Sequence, residues 1–382
     1  MAVYLDNAAT SYPKPEAVYS SMDSFARSVG ASPGRGGYGL SIEAARLLFD
    51  TRELLAQLFS LPDSSRLVIT HSATESLNLA IRGLLKPGDH VVTTSMEHNS
   101  LARPLYVASQ GGVLVSQVTG DSSGEVSADN IFAALTGNTR LVAMTHCSNV
   151  TGAVNAVAEI GHELKKRGIM LLVDAAQSAG SLPIDIPAMN IDLLAAPGHK
   201  GLLGAQGTGI LYVADGISME PLLFGGTGSS SSELAMPQGL PERYESGTHN
   251  MVGIAGLNAG IKHILSTGVD VICRHESQLV ERLIDGLQTI DGVRVINPDC
   301  TRPRGAVVSF TFDGLDPSAI GHLLDVQYEI AVRTGLHCAP LAHKTIGTFP
   351  EGTVRVSPGL FNTVEDIDLI LYALSEIRKT GV

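Results

Sequence analysis

Lys200 and Asp174 are the two residues whose positions point most directly to chemistry. Lys200 follows an apolar run through a Gly-His pair, and a lysine amine can form a Schiff base with an aldehyde. Asp174 ends the apolar run LLVD, where a buried carboxylate needs a partner such as a protonated ring nitrogen. Taken singly, a solvated loop lysine and a helix-capping aspartate are the alternative interpretations.

Three further motifs follow strand-like runs and could complete a cofactor site. Ala73 and Thr74 lie in THSATESLN, where the backbone N–H groups at the start of a helix can bind a phosphate. His98 in SMEHNS can stack on a flat ring and transfer protons, and Asn149 in HCSNVTG can bond a ring substituent. An ordinary helix cap, a structural histidine and a turn asparagine are the alternatives. With the amine and the carboxylate, the combination predicts a pyridoxal 5′-phosphate site.

Residues near the C-terminus could bind and attack a substrate. Cys338 lies in AVRTGLHCAP beside His337 and Arg333, and neighbouring cations lower the pKa of a thiol. Arg355 in GTVRVSPG could hold a substrate carboxylate with two parallel hydrogen bonds. A buried inert thiol and a surface salt bridge are the alternatives. Cys147 also follows a strand-like run, and its role stays open.

The elements that must position these residues alternate between strands and helices. Near-continuous apolar runs separated by helical patterns predict a mostly parallel sheet covered on both faces. The carboxyl ends of such strands face one crevice, where α/β proteins bind ligands. The predicted strands are 66–70, 90–94, 113–118, 140–145, 169–173, 191–195 and 209–213, and the clearest helices between them are 75–85 and 157–167.

A smaller α+β domain is predicted after the Gly-, Ser- and Pro-rich stretch 225–248. Its helical patterns cover 250–266, 270–290 and 363–379, and its strands cover 293–296, 306–312 and 328–332. We therefore expect an N-terminal arm at 1–15, a large cofactor-binding domain at 16–250 and a small domain at 251–382. The first helices are expected to pack against the small domain.

Composition narrows the class of protein. The 382 residues, 44% hydrophobic and 17% charged, fit a globular chain of two domains. The net charge of −12, without a basic block, argues against nucleic acid and anionic membranes as partners. No apolar run is long enough for a transmembrane helix, and no secretory signal is evident. The 4 scattered cysteines predict neither disulfides nor a metal site, so we expect a reducing cytoplasm.

The order and spacing of the motifs resemble the class V aminotransferase family of fold type I pyridoxal phosphate enzymes. Within it, the chain resembles cysteine desulfurases of the NifS, SufS and CsdA kind. The short segment between Cys338 and Arg355 is similar to the SufS-like group. VDAAQ with GHK, and RTGLHCAP, are the most specific matches. The full set is YLDNAAT, SATE, MEHNS, SNVTG, VDAAQ, GHK, YESGT, RTGLHCAP and VRVSPGLFNT, which spans nearly the whole chain.

The resemblance implies a role for each matching residue. Lys200 would bind the cofactor covalently, Asp174 would pair with its ring nitrogen, and Gln177 would bond its phenolic oxygen. Thr248 would reach the phosphate of the neighbouring subunit, so a homodimer is expected. The other implied cofactor ligands are Ala73, Thr74, His98, Asn149 and His199, and the implied substrate pocket contains Asn7, Arg333 and Arg355.

The resemblance also implies a reaction. L-Cysteine would become L-alanine, with its sulfur transferred to Cys338 as a persulfide and Lys200 and His98 as the other catalytic residues. A sulfur-acceptor protein is a candidate partner. Selenocysteine lyase and cysteine sulfinate desulfinase, which would not need Cys338, are alternatives on the same scaffold. A true class V aminotransferase is another, and it would leave RTGLHCAP without a chemical role.

Overall fold

The computed structural model describes residues 2–34, 36–228 and 232–380. Residues 1, 381 and 382, the outer ends of the expected arm and small domain, lie outside that range. The helices are α1 (Glu16–Ser28), α2 (Gly39–Leu58), α3 (Ala73–Leu84), α4 (Asn99–Gln110), α5 (Ala128–Ala133), α6 (Val157–Arg167), α7 (Met251–Thr267), α8 (Val269–Gln288), α9 (Pro317–Tyr328), α10 (Pro340–Thr345) and α11 (Val364–Thr380). The strands are β1 (Val3–Tyr4), β2 (Leu67–Thr70), β3 (His90–Thr94), β4 (Leu114–Val118), β5 (Thr139–Thr145), β6 (Met170–Asp174), β7 (Leu193–Pro197), β8 (Gly209–Val213), β9 (Val293–Ile296), β10 (Val308–Phe312), β11 (Ile330–Ala331), β12 (Arg333–Gly335) and β13 (Thr353–Val356).

A seven-stranded sheet with the order β2-β8-β7-β6-β5-β3-β4 forms the larger part of the fold. Strand β8 runs antiparallel to both of its neighbours, whereas β7, β6, β5, β3 and β4 pair in parallel. Two reversals give β2 the direction of β7, so the carboxyl ends of six strands share one edge. The predicted mostly parallel sheet is confirmed, and the strands at 90–94 and 209–213 have the predicted bounds.

Both faces of this sheet are buried except at the edge strand β4, which explains why most of its strands read as apolar runs. Successive strand residues face opposite sides. Val92 and Leu171 accordingly lie in one hydrophobic cluster, and their neighbours Val91 and Leu172 lie in another. Since helices cover the two faces, only the strand ends are open to a ligand.

The smaller sheet has the order β12-β13-β10-β9 and is antiparallel throughout. Its core includes Leu283, Phe310, Val354 and Ile370, which are fully or almost fully buried. The N-terminal arm joins this half of the molecule, because β1 pairs in parallel with β11. Beyond β1, the arm also contacts the carboxyl-end edge of the large sheet, because the Ser11 backbone N–H donates to the His199 carbonyl oxygen at 3.0 Å.

Helix α7 belongs by its packing to the larger core, although the sequence placed it in the small domain. Leu257, Ile261 and Ile264 are buried in the cluster that covers one face of the seven-stranded sheet. Helices α1 and α2 both pack against α7. A Cβ on Gly260 would lie 2.6 Å from the carbonyl oxygen of Leu202, so a side chain there would push the helix away. We propose that the domain boundary follows α7, near residue 268.

Within residues 2–34, 36–228 and 232–380, every helix is too short or too polar to cross a membrane.

Candidate active site

Lys200 stands just beyond the end of β7, next to the end of β6. Asp174, the last residue of β6, pairs in register with Ala195 of β7. Burial lowers the pKa of Lys200 to about 8, while the charge of Asp174 acts to raise it. The structure gives the Lys200 amine no hydrogen bond or ion pair with any described residue. A larger fraction of this amine is therefore uncharged near neutral pH than for an ordinary lysine, and the uncharged form is the one that acts as a nucleophile or base.

Asp174 is a buried carboxylate with one unused oxygen. Its side chain is 1% exposed. Burial raises the pKa, and the Ala176 backbone N–H, which donates to Oδ1 at 3.0 Å, lowers it. Oδ2 has no hydrogen-bond partner in the described part of the chain. A cationic ring nitrogen supplies both the charge and the donor that this oxygen lacks.

Glu97 is a second buried carboxyl, close to Asp174, and sequence reasoning missed it. Thr94 donates from its hydroxyl to Oε1 at 2.5 Å, and the Thr145 backbone N–H donates to Oε2 at 2.9 Å. Burial and, to a lesser extent, the charge of Asp174 raise the pKa of Glu97 to about 8, although the hydrogen bonds from Thr94 and Thr145 act to lower it. At neutral pH Glu97 is therefore mostly protonated. The available signal was an acidic residue three positions after the last residue of a strand.

Replacing Glu97 with glutamine should change how stability depends on pH. The folded-state pKa of Glu97, about 8, lies above the ordinary value of 4.5, so its stabilising contribution is lost as the pH rises towards 8. Glutamine does not titrate. Urea unfolding should show the variant gaining on the wild type by about 1.4 kcal/mol per pH unit between pH 5.5 and 7.5. Glu276, whose pKa burial also raises to about 8, is present in both proteins. A difference independent of pH would mean that Glu97 is ionised in the folded protein.

His98 caps helix α4 and is neutral. Its Nδ1 accepts from the Ser100 backbone N–H at 3.0 Å, which places the ring proton on Nε2. Burial and, to a lesser extent, the charge of Lys200 lower the pKa of His98 to about 4. The ring lines a cavity together with Thr74, Arg103 and Cys338. His98 therefore presents a neutral N–H group to this cavity rather than a cation.

The first turn of α3 and His199 offer unpaired donors to an anion. Ser72 accepts from the Glu75 backbone N–H at 3.2 Å, so that group is satisfied within the helix cap. In the described chain, the N–H groups of Ala73 and Thr74 have no acceptor. Nδ1 of His199 is buried without a partner, and burial lowers the pKa of this histidine to about 4. A phosphate would satisfy these groups.

The turn that carries Cys338 contradicts one interpretation made from the sequence, namely that His337 is a cation beside the thiol. Cys338 is exposed, whereas His337 is buried. Nε2 of His337 faces the Thr353 hydroxyl at 2.9 Å, and burial holds its pKa far below the usual range. The interpretation of His337 as a cation that activates the thiol is therefore wrong. The positive charges that interact with Cys338 are those of Lys200 and Arg355.

Arg355 is buried and only partly satisfied. Nη2 forms an ion pair with Asp6 at 2.7 Å, and Nη1 donates to the Asn149 carbonyl oxygen at 3.1 Å. Nε has no partner. Arg333 lies opposite Arg355 in the pairing of β12 with β13, and its side chain is exposed. A substrate carboxylate would have to use the N–H groups of Arg355 that remain free.

The polar atoms of Asn7 and Gln177 hold the N-terminal arm. Nε2 of Gln177 donates to the Ala8 carbonyl oxygen at 2.9 Å, which leaves its Oε1 for another partner. Nδ2 of Asn7 donates to the Ser357 carbonyl oxygen at 3.0 Å and to Oδ1 of Asn362 at 3.1 Å. Both residues line a cavity that Lys200 also lines. Asn7 therefore shapes the pocket by fixing the arm.

Two residues lie apart from this site. Thr248 is exposed and lines a different cleft, with Arg52 and Glu245. Its predicted contact with a neighbouring subunit remains a prediction. Cys147 is fully buried, and burial raises its pKa to about 12. A thiol in that state is neither accessible nor ionised, so Cys147 lacks the properties of a reacting cysteine.

Comparison with known proteins identifies the family. The sequence model of the family described as aminotransferase class-V matches residues 3–370. The chain belongs to the class-V aminotransferase family. A protein named "Probable cysteine desulfurase" from Methanothermobacter thermautotrophicus is 36% identical over 385 residues, covering 99% of this chain and 95% of that protein. A protein of the same name from Pyrococcus abyssi is 35% identical over 387 residues, covering 99% and 94%.

Solved structures of this class-V family have the same fold. The cysteine desulfurase from Thermococcus onnurineus, solved in its apo form, has a TM-score of 0.93 and 34% identity, with 99% of this chain and 95% of that chain covered. The Escherichia coli cysteine desulfurase CsdA has a TM-score of 0.89 and 29% identity, with the same coverage. The arrangement of domains and strand ends is thus that of fold type I enzymes.

The residues of this class-V chain fit pyridoxal phosphate. Within the described chain, an unpaired amine on the half-buried Lys200, a carboxylate oxygen without a donor, and unpaired N–H donors at the start of α3 lie at the same edge of the sheet. These groups match the aldehyde, ring nitrogen and phosphate of that cofactor.

Proposed function

We propose that this chain is a pyridoxal phosphate-dependent cysteine desulfurase that converts L-cysteine to L-alanine and transfers the sulfur to Cys338. It acts as a homodimer in a reducing cytoplasm. The observation that carries the proposal is the exposed Cys338, which lines one cavity with His98 and interacts electrostatically with the amine of Lys200. The names and structures of the relatives support the same reaction.

Six groups would hold the cofactor within one subunit. Lys200 would bind its aldehyde carbon, Asp174 its ring nitrogen and Gln177 its phenolic oxygen. The N–H groups of Ala73 and Thr74, with His199, would bind the phosphate. When bound, pyridoxal phosphate draws electrons from the substrate Cα and so makes the substrate C–S bond easier to break.

Side chains of the protein then transfer the protons and bind the substrate carboxylate. Lys200, with its pKa of about 8, can take the proton from Cα and return it later. Asp174 keeps a negative charge against the ring nitrogen throughout. His98 can donate from Nε2 near the substrate thiol, and Arg355 binds the carboxylate with the donors that Asp6 and Asn149 leave free.

Cys338 completes the reaction as a nucleophile. Its thiolate attacks the sulfur of the substrate, so that a bond forms between the two sulfurs and the Cβ–S bond of the substrate breaks. The electron pair of the broken bond remains on the substrate carbon. That carbon takes up the proton that the Cys338 thiol released, and the product leaves as alanine. Because Cys338 is exposed, the persulfide can pass its sulfur to a small thiol or to an acceptor protein.

The alternatives differ in their use of Cys338. Selenocysteine lyase and cysteine sulfinate desulfinase reactions release a better leaving group and need no attacking thiol. An aminotransferase would keep the amino group on the enzyme and give Cys338 no task. The exposed thiol in the cavity of His98 favours the desulfurase.

A product assay tests the proposal. The purified protein, reconstituted with pyridoxal phosphate, should release alanine and sulfide in equal amounts from L-cysteine with a reductant. L-Serine with glyoxylate, cysteine sulfinate and selenocysteine are assayed in parallel. A keto acid formed from L-serine with glyoxylate, without alanine from L-cysteine, would replace the proposal with the aminotransferase. Alanine from selenocysteine or sulfinate alone would assign the corresponding lyase.

A further inference from the structure

The turn that carries Cys338, residues 336–339, is joined to both halves of the molecule. Asn149, beyond the end of β5, donates from Nδ2 to the His337 carbonyl oxygen at 2.8 Å. Asn99, the first residue of α4, donates its backbone N–H to the Cys338 carbonyl oxygen at 2.8 Å. From the other half, the Thr353 hydroxyl faces Nε2 of His337 at 2.9 Å.

The backbone of this turn needs such support. His337 and Cys338 have φ values of 48° and 56°, both in the left-handed region. Side chains other than glycine disfavour that region, and such a conformation persists when surrounding contacts enforce it. Two consecutive residues of this kind place the thiol on the exposed side and the His337 ring in the interior.

We propose that Asn149 is a positioning residue for the reacting thiol. Its amide and the Thr353 hydroxyl, which acts through His337, hold the 336–339 turn so that Cys338 faces the cavity of His98. The role differs from the contact with cofactor or substrate that the sequence predicted for Asn149.

The same bonds tie the thiol to the site proposed for the substrate carboxylate. Arg355 donates to the backbone carbonyl oxygen of Asn149, and Thr353 precedes Arg355 by two residues on β13. Asn149 therefore contacts both the turn and Arg355. Strand β13 carries Arg355 and also Thr353, which contacts the turn through His337. A substrate held at one end by Arg355 would meet the thiol at a distance set by these contacts.

Two substitutions test the proposal, which in its kinetic part rests on the proposed desulfurase reaction. Asn149→Ala removes the amide, and Thr353→Val removes one hydroxyl at nearly constant shape. Asn155→Ala is the matched control, because Asn155 is another buried asparagine whose Nδ2 donates to a backbone carbonyl oxygen, that of Thr145 at 2.8 Å. All are measured as holoenzymes.

The kinetic comparison separates positioning from substrate binding. With L-cysteine, kcat should fall by about tenfold or more in both variants while KM changes little, since small misplacements of a reacting group are costly. With cysteine sulfinate, whose reaction needs no thiol attack, both variants should retain the wild-type rate. An equal loss with both substrates would overturn the proposal and return Asn149 to cofactor or substrate contact.

Hydrogen exchange gives a readout that does not depend on turnover. Amides of 336–345 should exchange about tenfold faster in Asn149→Ala and Thr353→Val, and at the wild-type rate in Asn155→Ala. Unchanged exchange in Thr353→Val overturns the proposal even if Asn149→Ala fails to fold. If the wild type makes no alanine from L-cysteine, the desulfurase assignment fails, and the exchange data still decide whether these residues hold the turn.

Discussion

Lys200→Ala should lower the rate of alanine formation from L-cysteine by about a thousandfold or more. The variant loses the amine that we propose as both the attachment point of the cofactor and the base that moves the Cα proton. Burial, which lowers the pKa of this lysine to about 8, makes it suited to both tasks at neutral pH. Steady-state assays with saturating pyridoxal phosphate measure the effect. Mass spectrometry after borohydride reduction should find the cofactor attached to the wild type and not to the variant.

Lys14→Ala is the matched control for that experiment. Burial lowers the pKa of Lys14 to about 8 as well, but its Nζ contacts the Ser11 hydroxyl at 2.9 Å and the His199 carbonyl oxygen at 3.3 Å. Lys14 is thus engaged with the N-terminal arm, and its removal should leave most of the activity. Comparable losses in the two variants would contradict the assignment of Lys200, because a low pKa alone would not distinguish the two lysines.

The positions of the candidate site residues could be predicted because these residues follow strands. Apolar runs that end in a polar residue marked the edge of the sheet at Thr74, His98, Asn149, Asp174 and Lys200. In a parallel sheet such ends converge without any knowledge of long-range contacts. The antiparallel strand β8 does not disturb this pattern, since it places β2 in the same direction as β7.

The protonation states of His337 and Glu97 could not be predicted in the same way. His337 is adjacent to Cys338 in sequence, which suggested a cation, yet burial against Thr353 makes it neutral. Glu97 is adjacent to His98 in sequence. Its raised pKa depends on burial and on the nearby charge of Asp174, which lies at the end of β6. Both features arise from contacts between residues far apart in the chain.

Helix α7 shows a related limit for domain boundaries. Its apolar residues surround most of the helix, so no single face indicated a partner. Only the packing of Leu257 and Ile261 in the larger core shows where it belongs. Because Gly260 contacts Leu202, two residues after Lys200, this helix also supports the backbone that carries the proposed catalytic lysine.

Cys338→Ala should lower alanine formation from L-cysteine by about a hundredfold or more while leaving cofactor binding intact. The thiol is exposed and lies outside the groups that fit the phosphate, ring nitrogen and aldehyde. Alanine formation from cysteine sulfinate should remain close to that of the wild type, because sulfite leaves without an attacking thiol. Alanine is quantified for both substrates, and the cofactor content is read from the absorbance spectrum.

Cys300→Ala is the control for a second exposed thiol, whose Sγ lies 3.8 Å from the Pro298 carbonyl oxygen in a loop of the small domain. After a single turnover with L-cysteine and alkylation, mass spectrometry should find the extra sulfur on Cys338 in the wild type and in Cys300→Ala. Equal alanine formation by the wild type and Cys338→Ala would exclude a persulfide on this residue as an obligatory intermediate. The exposed turn would then border the entrance to the cavity of His98 without taking part in the reaction, and sulfur would leave the substrate directly.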